Sequence, residues 1–291
     1  MPIKNCQLLE HISPKNHDMK KLTKSIIKNI FKPRMADSHK GNHGHALIIS
    51  GNLGKMGAAV IASKACLRSG AGLVTVNIPK EERFIIQTAL PEAMVNFRTD
   101  LGNNLENYSA IAIGPGLGLN EVKLISAVFN NSQCPLLLDA DALNMLAADK
   151  KLFAKIPPQT IITPHPKEFD RLFGVHVNHQ ERILTAVNQA KLLNIIIVLK
   201  GAKTIITYNG IVYFNTTGNA GLAKGGSGDA LTGIITAFLA QGYEPFKAAQ
   251  LGVFMHGLAA DLSLKKQSVE SLLISDVIEN MGKAFKSIYP S

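Results

Sequence analysis

The residues best suited to chemistry lie in one short run, Gly225-Gly226-Ser227-Gly228-Asp229, inside the glycine-rich stretch 218–233. A glycine turn here delivers an acid onto the first turn of a helix, because Ala230, Leu231, Ile234, Ile235, Phe238 and Leu239 recur at helical spacing. Helix N-termini carry unpaired N–H groups and the positive end of the helix dipole, so they attract phosphate. Glycine lets the backbone come close to an anion. An acid in that first turn can take the proton of a hydroxyl about to attack a phosphoryl group. The same residues also fit a plainer reading, a tight loop with Asp229 as an ordinary helix-start acid.

Such groups need a frame. His45–Ser50, Leu73–Ile78, Ala93–Phe97, Ser109–Ile113, Pro135–Asp139, Thr160–Thr163 and Ile195–Leu199 read as short apolar strands. Ala58–Ser69, Asn120–Asn130, a short segment from Asp141, a segment after Pro166 and Glu181–Leu193 read as helices between them. Thr204–Tyr208 and Ile211–Asn215, joined at Asn209-Gly210, form a hairpin. The alternation predicts an α/β fold with a mostly parallel central sheet and helices on both faces, extended at one edge by the antiparallel hairpin. Residues 1–40 read as an irregular basic lead-in with one helix around Leu22–Phe31, and residues 41–291 as a single domain.

In such sheets ligands sit beyond the carboxyl ends of the strands. Those ends carry Gly114-Pro115-Gly116-Leu117-Gly118, then Asp139 and Asp141, then Pro164-His165-Pro166-Lys167-Glu168, then Lys200-Gly201. Parallel strands would gather all of them on one rim with Gly225–Asp229. Each has a structural alternative. At least one of Asp139 and Asp141 is expected to cap the helix that follows. His165, restrained between prolines, suits a positioned contact or a satisfied structural histidine. Glu168 fits a helix's first turn on dipole grounds. Lys200 and Lys224 could meet phosphate or simply be solvated.

Composition limits the partners. The 291 residues include 46% hydrophobic and 18% charged side chains, enough for a sizeable core. The net charge of +10 favours anionic partners. Part of that excess is Lys15, Lys20, Lys21, Lys24, Lys28, Lys32, Arg34 and Lys40, a set whose default is a solvated basic face. Aromatic content of 6% without Trp offers little for base stacking, which counts against nucleic acid as a partner. Cys6, Cys66 and Cys134 are too scattered for a zinc or disulfide framework. With no signal-peptide pattern and no apolar run near the ~20 residues of a membrane span, the expectation is a reduced, cytoplasmic protein away from membranes.

Several ordered motifs carry a more specific resemblance. They are His39-Lys40-Gly41; Ser50-Gly51 with Met56-Gly57-Ala58-Ala59; and Arg68-Ser69-Gly70-Ala71-Gly72-Leu73-Val74-Thr75. Next come Gly114–Gly118; Leu138-Asp139-Ala140-Asp141-Ala142-Leu143-Asn144; and Thr163-Pro164-His165-Pro166 with Glu168-Phe169. Leu199-Lys200-Gly201-Ala202 with Thr204, and the Gly218–Gly233 run, complete the series. In this order, from His39 to Asp276, the chain resembles the ADP-dependent (S)-NAD(P)H-hydrate dehydratases of the ribokinase-like superfamily.

The resemblance implies a three-layer ribokinase-like sandwich and a repair reaction. ADP would phosphorylate the C6 hydroxyl of NADH hydrate or NADPH hydrate, and loss of phosphate would restore the reduced nicotinamide. It implies Asp229 as the base, and Gly226, Ser227 and Gly228 as the anion hole. Lys200, Gly201, Ala202, Lys203, Thr204 and Gly228 would meet the nucleotide, and Ala58, Gly116 and His165 the hydrate together with Asp229. Related kinases hold magnesium through an Asn-x-x-Glu motif. Here His165 replaces the Asn and Glu168 keeps the acid, so Mg2+ is expected through water at most. A homo-oligomer, tetrameric in such families, is expected, with the small residues of Ala58–Ser69 allowing close packing. Because the match begins near His39, the epimerase domain often fused upstream is expected to be absent, leaving a functional link to a separate epimerase. Two alternatives stand beside this. One is a ribokinase-like kinase of a small alcohol such as a thiazole or pyrimidine vitamin precursor, which Met56–Ala59 and Thr163–Pro166 fit less well. The other is a non-catalytic nucleotide- or nucleic-acid-binding regulator.

Overall fold

A computed structural model describes residues 19–100 and 105–289. Lys15, Cys6 and the rest of the first 18 residues of the lead-in lie outside the described residues. The strands are β1 (Met19–Leu22), β2 (His45–Ile49), β3 (Leu73–Ile78), β4 (Met94–Phe97), β5 (Ala110–Ile113), β6 (Leu136–Leu138), β7 (Ile161–Ile162), β8 (Ile196–Leu199), β9 (Ile205–Tyr208) and β10 (Ile211–Asn215). The helices of the first half are α1 (Lys24–Ile30), α2 (Met56–Arg68), α3 (Arg83–Ala89), α4 (Val122–Asn131), α5 (Ala140–Ala148) and α6 (Lys150–Phe153). Those of the second half are α7 (Pro166–Phe173), α8 (His179–Leu192), α9 (Ser227–Ala240), α10 (Pro245–Ser263), α11 (Ile274–Glu279) and α12 (Met281–Ile288).

All ten strands join one sheet in the order β1-β10-β9-β8-β7-β6-β5-β2-β3-β4. From β4 across to β8 every neighbouring pair is parallel. The expected hairpin turns the sheet antiparallel at β8–β9–β10. Asn209 (φ 47°) and Gly210 (φ 80°) supply the two left-handed residues that a two-residue hairpin needs.

Strand side chains alternate between two cores. Ala46 and Ile48 pack with α2, α9 and α10 on one face, whereas Leu47 and Ile49 pack with α4, α5, α7 and α8 on the other. The result is the three-layer, doubly covered sheet expected from the apolar strands. The lead-in takes part in it: β1 pairs in parallel with β10, and Leu22 and Ile27 are fully buried. Its described basic residues, Lys20 through Lys40, all face solvent.

The small residues of α2 are used inside the chain. A Cβ on Gly233 of α9 would lie 2.0 Å from the Ala62 carbonyl oxygen, and 3.0 Å from Ala65. The surface expected to pack against another subunit is therefore occupied by α9, which needs that close approach to bury its own apolar face. No helix among the described residues is long and apolar enough to cross a membrane.

Candidate active site

Parallel pairing stacks the strand ends along one rim. Gly114 N–H reaches Ile49 O at 3.1 Å, Asp139 N–H reaches Ile113 O at 3.0 Å, and Lys200 N–H reaches Pro164 O at 2.9 Å. The strand order reverses between β2 and β5, and there the loops after the two strands meet. Gly51 donates to Pro115 O at 2.8 Å, and the Asn52 amide donates to Leu117 O at 3.1 Å. A Cβ on Gly116 would lie 3.0 Å from the Ala58 Cβ and 2.9 Å from Lys55 O. Ala58 and Gly116 thus touch where the two loops meet. Gly114 is obligatory: its φ is +135°, and a Cβ there would lie 1.8 Å from Asp139 O.

The glycine turn behaves as its sequence requires. Gly226 sits at φ 90°, at the N-cap of α9, with its α-carbon face against Ile61. The Ser227 N–H donates to Lys224 O at 3.3 Å, and the first intrahelical bond is Ala230 N–H to Gly226 O at 2.9 Å. The Gly228 and Asp229 N–H groups lie between these two, at the positive end of the helix. Lys224 turns away from the glycine turn, its Nζ donating to the carbonyls of Glu270 and Leu272.

Beneath the turn lies a buried charge cluster. The Lys200 ammonium donates to Asp139 Oδ1 at 2.7 Å and stands 3.9 Å from Glu168 Oε2. Asp139 Oδ2 accepts from the Thr232 hydroxyl at 2.9 Å. Burial pushes the Asp139 carboxyl up, but Lys200, with hydrogen bonds from Thr163 and Thr232, pulls it below its ordinary value. Burial opposes the Lys200 charge, yet Asp139 and then Glu168 hold it above the usual lysine range. A Cβ on Gly228 would lie 3.2 Å from Lys200 Nζ, so the glycine leaves the turn seated directly over this pair. Asp229, one residue on, is pushed up to about 6, first by burial and then by the Asp139 charge, with Lys200 acting in the opposite sense.

Other site residues take structural partners. Neither Asp139 nor Asp141 caps α5 through its side chain. This corrects the capping expectation: Asp139 is engaged by Lys200, and Asp141 accepts from Gly118 N–H at 2.8 Å. His165 is the N-cap of α7, its Nδ1 accepting from the N–H groups of Lys167 at 3.1 Å and Glu168 at 3.3 Å. Glu168 returns the bond to His165 N–H at 2.8 Å, a reciprocal capping box. The imidazole is still half exposed at the rim, and burial followed by the Lys200 charge lowers its pKa. Gly201, Ala202 and Lys203 are exposed beside this cluster, while Thr204 donates to Gly201 O at 3.3 Å and closes the loop.

Sequence reasoning missed Thr232 and the ionic role of Asp139. Thr232 lies one helical turn after Asp229, a spacing that places both on one side of α9. Arg98 was also beyond reach, because its partners come from two separate loops and a strand.

Glu168 is 5% exposed, and both its oxygens face His165 or Lys200. Among the described residues no three His, Cys, Asp or Glu side chains cluster as metal ligands. The described donors do not build a magnesium cage.

Comparison with known proteins points to one family. The family model described as NAD(P)H-hydrate dehydratase matches residues 46–282. The ADP-dependent (S)-NAD(P)H-hydrate dehydratase of Bacillus subtilis is 37% identical over 276 residues, covering 91% of this chain and 98% of that protein. A crystal structure of the Bacillus subtilis ADP/ATP-dependent NAD(P)H-hydrate dehydratase, co-crystallized with ATP/Mg2+, superposes with a TM-score of 0.83 at 33% identity, over 93% of this chain and 99% of that one. A ribokinase-like superfamily protein from Enterococcus faecalis gives a TM-score of 0.85 at 31% identity, over 96% and 98% of the two chains. The chain spans about half the length of the bifunctional NAD(P)H-hydrate repair enzymes it also matches. With a ribokinase-like sheet, a glycine turn opening α9 and a family match across most of its length, this chain belongs to the NAD(P)H-hydrate dehydratase family.

Proposed function

We propose that the protein is an ADP-dependent (S)-NAD(P)H-hydrate dehydratase that returns hydrated NADH or NADPH to its working form. The observation that carries this reading is Asp229, which stands in the first turn of α9 with its carboxyl raised to about 6, on the rim shared by Gly116, His165 and Lys200. A carboxyl with that pKa is ionised at neutral pH and retains basicity, as a general base requires.

In this mechanism the hydrate occupies the crevice beside Ala58, Gly116 and His165, and ADP lies along Lys200–Thr204. Asp229 takes the proton from the C6 hydroxyl as its oxygen attacks the terminal phosphorus of ADP. The bond between that phosphorus and the bridging oxygen breaks, and AMP departs. The N–H groups opening α9 hold the transferring phosphoryl, with Lys200 supplying positive charge from below. Phosphate then leaves C6 with the C–O electron pair, a proton is lost from the neighbouring ring carbon, and the double bond returns. Magnesium would reach this site on the phosphates of the nucleotide and neutralise their charge.

Residues 41–291, joined by the sheet-forming part of the lead-in, form the catalytic domain in this reading. A cytoplasmic location follows from the substrate, and the free thiols of Cys66 and Cys134, both raised by burial, fit a reducing compartment. The homo-oligomer, a tetramer, rests on the resemblance, and so does the functional link to a separate epimerase.

The test is a direct assay. Protein is mixed with NADH hydrate, magnesium and ADP, with ATP and nucleotide-free controls, and the reduced-nicotinamide absorbance is followed. Recovery that needs nucleotide and releases AMP and phosphate is the expected result. Nucleotide binding without recovery would overturn the reading.

A further inference from the structure

Arg98 lies on the rim but outside every motif that marks the site. It follows β4, the strand at the sheet's far edge, yet its side chain turns inward and is only 12% exposed. Its Nη2 donates to three carbonyls at once: Ser50 O at 3.0 Å, Gly51 O at 3.0 Å and Asn77 O at 3.2 Å. Its Nη1 faces Glu121 Oε1 at 3.5 Å, and Glu121 stands at the N-cap of α4. Burial works against the guanidinium charge, and Glu121 supports it. One side chain thus ties the loop that follows β2 and the loop that follows β5 to the end of strand β3.

Those two loops shape the crevice. Gly51, whose carbonyl Arg98 holds, donates its N–H to Pro115 O at 2.8 Å. Gly51 has φ 72°, and a Cβ there would lie 2.7 Å from Met56 Sδ and 3.0 Å from the Ala59 Cβ, so the turn is seated on the start of α2. Asn52 ties the same turn to Leu117 O, and Glu121 ends the stretch that begins at Gly114. Left alone, the three carbonyls at the strand ends would repel each other and demand water. A guanidinium is the side chain that satisfies several oxygens from one plane.

We infer that Arg98 is a positioning residue for the hydrate side of the site: it fixes the Ser50–Gly51 turn against Gly114–Gly118 and so holds Ala58 and Gly116 together as one wall of the crevice. This rests on the proposed placement of the hydrate at Ala58 and Gly116. The phosphate side, Lys200 to Thr204 and Gly225 to Asp229, is held by different bonds and does not depend on Arg98.

The experiment uses the full chain with Arg98→Met and Arg98→Lys. Amide hydrogen exchange reads the geometry without reference to activity. Exchange should quicken in residues 50–55 and 114–119 of Arg98→Met and stay at the wild-type rate in residues 224–231. Kinetics then read the site: KM for the hydrate should rise about tenfold or more, since small displacements in a positioned site are costly, with KM for ADP within about twofold of wild type. Arg98→Lys keeps the charge but loses the fork, so it should recover thermal stability without recovering the hydrate KM. Equal rises in both KM values, or unchanged exchange in the two crevice segments, would overturn the inference. If wild-type protein itself restores no NADH, it is the proposed activity that fails, and the exchange data alone decide the role of Arg98.

Discussion

Replacing Asp229 by Asn should make the protein more stable while abolishing turnover. The carboxyl rises from 3.8 to about 6 in the folded chain, mainly through burial. At about 1.36 kcal/mol for each pKa unit, holding it ionised costs about 3 kcal/mol at neutral pH. Partial solvent access reduces that to about 1–2 kcal/mol. The folded state binds this proton more tightly than the unfolded state does. Wild type therefore loses stability as pH rises from about 4 to about 6, and the loss is complete above that window. Asn carries no charge to desolvate, so Asp229→Asn should melt about 2–3 °C higher than wild type at pH 7.5. The advantage should vanish near pH 4. Melting curves for both proteins from pH 4 to pH 8, paired with the NADH-recovery assay, measure it. For wild type, kcat/KM should rise with pH through about 6 as the base ionises. A variant less stable than wild type at pH 7.5, or one that keeps near-wild-type turnover, would refute the argument.

Lys200→Met should cost about 3–5 kcal/mol in urea denaturation, because it strands the buried Asp139 charge. Adding Asp139→Asn should recover much of that loss, and a strictly additive double mutant would contradict the pairing. His165→Ala should lose about 1 kcal/mol by uncapping α7 and raise the KM for hydrate more than that for ADP. His165→Asn should restore the cap but not the hydrate KM; equal effects on both ligands would leave the imidazole a purely structural role. Gly114→Ala should lower the melting temperature sharply, since its Cβ would meet a backbone oxygen at 1.8 Å. A loss below about 1 kcal/mol would show that the β5 and β6 loops yield easily.

The frame was legible where burial is one-sided or complete over a short span. The central strands are runs of Ile, Leu, Val and Ala, and the hairpin is announced by Asn209-Gly210. β1 is hidden because Met-Lys-Lys-Leu presents only Leu22 to the core, and its partner β10 lies far along the chain, Met19 meeting Val212. α10 has no readable period because it is buried on almost every side. The acid of the glycine turn is legible because glycine spacing and helix start coincide. Asp139 is not, since a short helix follows it and the natural inference is a cap. Its partner Lys200 lies 61 residues away, and only the parallel register joins them. His165 shows the opposite economy: one ring both caps α7 through Nδ1 and faces the crevice rim.

The tight crossing of α2 and α9 has a reach beyond packing. Ala58 and Asp229 each stand four residues, one helical turn, before the contact at Ala62 and Gly233. The two helices act as the arms of a caliper, with that contact as its pivot. The gap between Ala58 and the Asp229 carboxyl is set where the arms touch, not at the tips. A methyl group added at Gly233 would press on the Ala62 carbonyl and open the jaws with both tip residues unchanged. Gradual changes of side-chain size at this pivot therefore offer a route to retuning the span between the tips and, in the proposed reaction, which hydroxyl Asp229 reaches.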